Sequence, residues 1–323
     1  MSFKDIKGQD SAIRFLKNAL KDKKTAHAYI FVGPSGIGKR IAALNFAKAL
    51  NCGMPVQDEP CDRCASCKKI DTLNHPDIFI VRPKDDEAIK IERIRELTRH
   101  IGLKPYEGRS KICIIDDAHL MTQDASNALL KTLEEPPSDS ILILLTNNMG
   151  GLLPTIISRA QAVRFFSLAP DIVKDILMKS YNVEEKRASV LSRLSGGRCD
   201  EALRYKNEDF FERRSQIIEA ITDETYFESD FDGLSRRALK LNLDIMLMWY
   251  RDILITKLNA FEPAGLFNID KIDRVSKEAK RFEVEQLHDI IKEIISTGHL
   301  LDRKANPKLA MSVLGTVCTK SFR

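Results

Sequence analysis

Residues 33 to 39, Gly33-Pro34-Ser35-Gly36-Ile37-Gly38-Lys39, follow the apolar run Ala28-Tyr29-Ile30-Phe31-Val32 and precede an amphipathic stretch that reaches Leu50. Glycines at this spacing let consecutive backbone N–H groups curl around a phosphate. The helix that starts at Lys39 aims the positive end of its dipole at the same point, and the Lys39 ammonium can reach terminal phosphates. A strand, Gly33, Gly36 and Gly38 in the turn, and Lys39 therefore form a candidate nucleotide site. The motif calls next for Ser or Thr, whose hydroxyl holds Mg²⁺, and this chain has Arg40. The metal loses a protein ligand there, and ATP and Mg²⁺ binding by this loop is correspondingly weakened.

A second chemistry-bearing group is Cys52, Cys61, Cys64 and Cys67, at C-x8-C-x2-C-x2-C. Four thiolates at this spacing can converge on one tetrahedral Zn²⁺ and leave no coordination position for water, which makes the expected site structural. A redox pair or unrelated thiols is the competing reading. Cys113, Cys199 and Cys318 lie in apolar or helical contexts and read as small core residues.

A third group is Asp116-Asp117, at the end of the apolar run Lys111-Ile112-Cys113-Ile114-Ile115. Beside a phosphate loop, the first acid is placed to hold Mg²⁺ and the second to orient a water. Asp117 is one methylene shorter than the usual Glu. Asn147, after Ile141-Leu142-Ile143-Leu144-Leu145, could present its amide to a γ-phosphate, though an Asn ending a strand is commonly a turn residue.

These groups need a scaffold that delivers several strand ends to one edge. Strands are expected at 28–32, 78–81, 111–115, 141–145 and around 163–166, with helices at 10–21, 39–50, 91–101 and 123–133 between them. The order predicts an α/β P-loop fold, a parallel sheet with helices on both faces. After Ala169-Pro170 the pattern is wholly helical. The boundaries drawn are 1–168 for the P-loop domain with its cysteine knuckle at 52–67, 169–206 for a small helical domain, and 207–323 for an all-α C-terminal domain.

The chain has 323 residues, a net charge of +5 and 43% hydrophobic content. That suits packed cores, and the mild basicity permits nucleic-acid contact without requiring it. No apolar run reaches the length of a membrane span and the N-terminus has no signal-like segment, so no membrane partner is expected and a cytoplasmic location is.

Taken together, the motifs resemble the delta-prime family of bacterial DNA polymerase III clamp-loader subunits, within the extended AAA+ group. The resemblance is carried by His27-Ala28-Tyr29-Ile30-Phe31, the four-cysteine spacing, Asn74-His75-Pro76-Asp77, Asn127 to Pro137 and Leu153-Pro154-Thr155-Ile156-Ile157-Ser158-Arg159. It implies a helical lid, a C-terminal collar, and a five-subunit ring with delta and tau/gamma subunits that acts on a sliding clamp and primer-template DNA. It also implies that Ser158-Arg159 supplies an arginine finger in trans to ATP on a neighbouring subunit. Arg40, Asp117 and Asp200 depart from what hydrolysis needs, which favours a non-hydrolysing subunit; the alternative is an active tau/gamma-like motor using Lys39, Asp116 and Asp117.

Overall fold

The computed structural model describes residues 2–321 apart from 57–58, 84–86, 207, 224, 229–230, 232–233, 259–264 and 304. The chain divides into two compact units, Met1–Ile172 and Val173–Arg323.

In the first unit, α1 (Asp10–Lys21) precedes β1 (Ala28–Val32), which leads through the phosphate loop into α2 (Lys39–Asn51). The short α3 (Ala65–Asp71) and β2 (Ile78–Val81) follow, then α4 (Ile91–Ile101), β3 (Lys111–Ile115), α5 (Gln123–Glu134), β4 (Ser140–Thr146), α6 (Pro154–Ile157) and β5 (Gln161–Arg164). The five strands form one parallel sheet in the order β2-β3-β4-β1-β5. β3 and β4 are buried along their whole length, which is why their sequences are continuous apolar runs with no polar alternation. One face packs Phe31, Ile114 and Ile143 against Leu16 of α1 and Phe46 of α2. The other packs Ile30, Ile115 and Leu144 against Leu97 of α4 and Leu129 of α5. The expected two-sided sheet is therefore present. β5 begins earlier than the 163–166 expectation, because Gln161 is already paired with Tyr29.

The second unit is helical: α7 (Pro170–Tyr181), which begins just before the division, then α8 (Glu185–Leu194), α9 (Cys199–Arg204), α10 (Glu208–Thr222), α11 (Arg236–Lys257), α12 (Ile272–Glu278), α13 (Val284–Asp302) and α14 (Pro307–Ser321). α7, α8 and α9 are the helices of the 169–206 segment, and the C-terminal helices follow in the same unit. α8 is released by Gly196 and Gly197, both at positive φ. α14 starts where Asn306 Oδ1 accepts the N–H groups of Lys308 and Leu309 ahead of Pro307. Trp249 and Tyr250 of α11 are buried. A buried polar cluster ties α10 to α11: the Arg214 guanidinium donates to Asn268 Oδ1 and to both oxygens of Asp270, while Asp252 accepts the backbone and side-chain N–H of Asn268. No helix is long and apolar enough to cross a membrane among the described residues.

At the base of the sheet, Asp77 is fully buried just before β2. Its carboxylate accepts the N–H groups of Tyr106 at 2.7 Å, Glu107 at 2.9 Å and Gly108 at 2.7 Å, and Lys111 Nζ lies 3.2 Å away. Burial alone would raise its pKa, but these donors hold it down at about 2. Asn51, at the end of α2, clasps the same loop by accepting from Arg109 and Ser110 N–H and donating to Ser110 carbonyl. A depression from the ordinary 3.8 to about 2 stabilises the fold by about 2 kcal/mol. Because the folded value is the lower one, that contribution is full above the unfolded pKa and is lost as pH falls through the folded one. Asp77→Asn is therefore expected to lower stability at neutral pH and to flatten the wild-type loss of stability below about pH 4, as read by urea titrations across that range.

Candidate functional site

The phosphate loop sits at the C-terminal edge of the sheet, at the end of its second-to-last strand in spatial order. Gly33 N–H donates to Thr146 carbonyl at 3.1 Å, anchoring the turn to β4. A Cβ at Gly33 would lie 2.2 Å from the Phe165 carbonyl oxygen, so no other residue fits. Ile37 is buried and fixes the middle of the loop to the core. Gly38, at φ 98°, is the N-cap of α2 and offers no side-chain cap. The first turn of α2, with the positive end of its dipole, therefore follows the loop without a capping side chain in between. Gly36 also has positive φ. Lys39 Nζ donates to the carbonyls of Gly33 and Pro34, folding the ammonium over the loop. Gln9 is a positioning residue that the motif does not announce. Its Nε2 donates to Ile37 and Phe166 carbonyls and its Oε1 accepts Phe166 N–H, which staples the loop to the end of β5. Its only sequence signal is a Gln just ahead of a helix start, and its burial is seen only in the fold.

Asp116 follows β3 directly, and its N–H donates to Val81 carbonyl. Burial pushes its carboxyl up, opposed by the charge of Arg82, the N–H of Asp117 and Lys39. Arg40 points the same way, with Nη1 at 4.0 Å from Asp116 Oδ2. Cations from the end of β2 and from the start of α2 thus converge on one acid. Asp117 adopts φ 49° and opens a 3-10 turn over Ala118–Leu120, a left-handed conformation that Asp tolerates. Asn147 is exposed just past β4, and Thr146 pairs in register with Val32, so it stands beside the phosphate loop. Its neighbour Asn148 makes the turn, accepting Gly150 N–H.

The four cysteine sulfurs lie within 4.8 Å of one another. Four Zn–S bonds of about 2.3 Å in a tetrahedron would place sulfurs about 3.8 Å apart, so the group can hold a metal ion. Cys52 caps the C-terminus of α2 and Cys64 the N-terminus of α3. Three of the sulfurs accept a backbone N–H from the next cysteine along the chain: Cys52 from Cys61, Cys61 from Cys64 and Cys64 from Cys67. Donation from Arg63 and Cys64 draws the Cys61 thiol down to about 6. Burial works against Cys64, yet the N–H groups of Cys67 and Gly53 bring it below its ordinary value as well. Burial raises Cys52 and Cys67. Cys61 is thus poised as a thiolate, Cys64 is shifted in the same direction, and a metal would take the remaining thiol protons. The module is fixed from both sides. The buried Lys48 of α2 pairs with Asp62 and Asp71, and buried His75 places Nε2 3.0 Å from Ser66 Oγ while its Nδ1 accepts Asp77 N–H. Spacing identifies the cysteines, but not Lys48, whose partners are distant in sequence.

Ser158 and Arg159 lie between α6 and β5. Gln161 is level with Tyr29, four residues before Gly33, so Arg159 is at the opposite edge of the sheet from the phosphate loop, about 13 Å down the strand axis. Its guanidinium is 37% exposed, 3.1 Å from Glu134 Oε1, and it donates to Thr155 carbonyl and Ser158 Oγ. Glu134 is thus a local acid partner of Arg159, and Ser158 Oγ itself donates to Thr155 carbonyl. The sheet brings Lys39, Arg40, Asp116 and Asn147 to one edge and leaves Arg159 and the cysteines outside that group.

Residues 8–169 match the family described as DNA polymerase III, delta subunit, and residues 208–314 match its C-terminal domain. The chain is 32% identical over 256 residues to DNA polymerase III subunit delta' of Bacillus subtilis, covering 76% of this chain and 77% of that one. It is also 30% identical over 327 residues to the tau subunit of the same organism, covering 92% of this chain and 57% of tau, so it spans little more than half of that relative. A gamma-subunit-related protein of Thermotoga maritima superposes with a TM-score of 0.46 at 18% identity, covering 96% of this chain and 99% of that one. A family match over half of the sequence and a delta' relative aligned along three-quarters of both chains converge, and the chain belongs to the DNA polymerase III delta-prime family of clamp-loader subunits.

Proposed function

We propose that this chain is a non-hydrolysing member of a DNA polymerase III clamp loader, and that it lends Arg159 to ATP held by a neighbouring subunit. The observation that carries the reading is the placement of Arg159 at the sheet edge remote from its own phosphate loop and open to solvent. A guanidinium there cannot serve the chain's own site, but it is available to a partner packed against that edge. Arriving across an interface, it would exchange Glu134 for the charge spread over a transferred γ-phosphoryl. Arg40 beside Asp116 supports the idle half of the reading, because the hydroxyl that would ligate Mg²⁺ is replaced by a positive charge.

In this reading the partners are delta and tau/gamma subunits in a five-membered ring, working on the sliding clamp and primer-template DNA in the cytoplasm. Residues 169–206 act as the lid and 207–323 as the collar. The cysteine cluster holds a structural Zn²⁺ through Cys52, Cys61, Cys64 and Cys67, with no coordination position left for chemistry. A second reading, an active motor subunit, is favoured by the alignment to tau along most of this chain and by the retained Lys39.

The two readings separate in a phosphate-release assay. The purified chain alone is expected to show no ATP turnover; turnover abolished by Lys39→Ala would establish the motor reading. In a reconstituted ring, Arg159→Ala is expected to slow ATP hydrolysis by about 10³-fold while the subunit still assembles, and an unchanged rate would remove the finger assignment. Elemental analysis is expected to return one zinc per chain. Chelation should lower the thermal midpoint of the first unit, and a metal-free chain of undiminished stability would rule the zinc assignment out.

A further inference from the structure

Arg40 is the second residue of α2, at the position where a hydroxyl would take up the metal. Its guanidinium lies 4.0 Å from Asp116, with 39% of the side chain exposed against 22% for the acid. It is thus close enough to balance the carboxylate while part of the side chain stays open to solvent. Arg82 adds a second guanidinium charge near Asp116, and the Lys39 ammonium is within the same field. A divalent cation approaching Asp116 would enter a group of positive charges and find no hydroxyl ligand. The residues present do not fit Mg²⁺.

They do fit an anion. Gly38 places no side chain between the loop and the positive end of α2, and Lys39 Nζ rests on two loop carbonyls that a phosphate could replace as partners. We propose that Arg40 is a built-in cation standing in for Mg²⁺, so that this loop binds a nucleoside polyphosphate without a divalent metal. The inference rests on the reading that the chain does not hydrolyse ATP, and deepens it. A guanidinium is permanently charged and can donate two parallel N–H bonds to phosphate oxygens, which supplies the neutralising role of the metal. It has no coordination site for a water and only a single charge, so it cannot supply the rest of the metal's role in phosphoryl transfer. Binding and turnover are thereby separated at one residue.

The test uses the full-length chain and titrates ADP and ATP by calorimetry in excess MgCl₂ and in excess EDTA, with phosphate release followed in the magnesium arm. Wild type is expected to bind equally well in both buffers. Arg40→Thr, which restores the hydroxyl, is expected to bind at least about tenfold more weakly in EDTA than in MgCl₂. Arg40→Gln, which removes the charge without restoring a ligand, is expected to weaken binding by roughly tenfold or more in both buffers. Far-ultraviolet circular dichroism confirms that each variant is folded, as expected for a half-exposed side chain. Wild-type binding that collapses in EDTA overturns the assignment of Arg40, and so does the absence of binding in both buffers. Phosphate release by wild type would instead overturn the non-hydrolysing reading beneath it, so the two failures are distinguishable.

Discussion

The first unit depends on the parallel, in-register pairing of β1 with β4 on one side and β5 on the other. Because Val32 is level with both Thr146 and Arg164, one sheet edge collects the ends of β1, β3 and β4 and therefore the phosphate loop, Asp116 and Asn147. The same pairing sends the start of β5, with Ser158 and Arg159 ahead of it, to the other edge. A slip of one residue in a sheet buried on both faces would turn every side chain over, so this separation of two positive sites is as firmly fixed as the core. Gly33 adds a second lock, since the loop can approach the Phe165 carbonyl only without a Cβ.

Within the upper edge, electrostatics divides tasks that motors combine. A motor's acid holds a metal through water, and the metal carries both phosphate charge and the geometry of attack. Here Asp116 is half desolvated and shares its surroundings with Arg82, Arg40 and Lys39. In the non-hydrolysing reading proposed above, that arrangement neutralises an acid rather than employing it. Asp117, spent on a left-handed turn, also differs from the longer residue that reaches a water.

Legibility of the sequence followed the range of each interaction. The phosphate loop and the cysteine group are local patterns of residue type, and both appear where their spacing put them. The apolar runs located every strand, with β5 misjudged at its start because Gln161 and Ala162 are exposed edge residues that carry no hydrophobic signal. Gln9 reaches Phe166, Lys48 reaches Asp62 and Asp71, and Arg159 meets Glu134. These pairings depend on the tertiary fold, and no periodicity encodes them. The Asn74-His75-Pro76-Asp77 motif was visible as residues, yet its work, clasping the 105–108 loop and the cysteine module at once, became clear only from where the N–H groups point.

α2 is the feature whose consequence reaches furthest. It begins at Gly38, the last glycine of the P-loop motif, and ends at Cys52, with Lys48 bolted to the knuckle one turn earlier. Its 13 residues make a stiff rod of about 20 Å. Any tilt imposed at its anion-facing tip swings the sulfur-bearing tip by a comparable arc, and clamping either tip restrains the other. The cysteine module is thus the far arm of a lever whose near arm is the glycine-rich loop at the sheet edge.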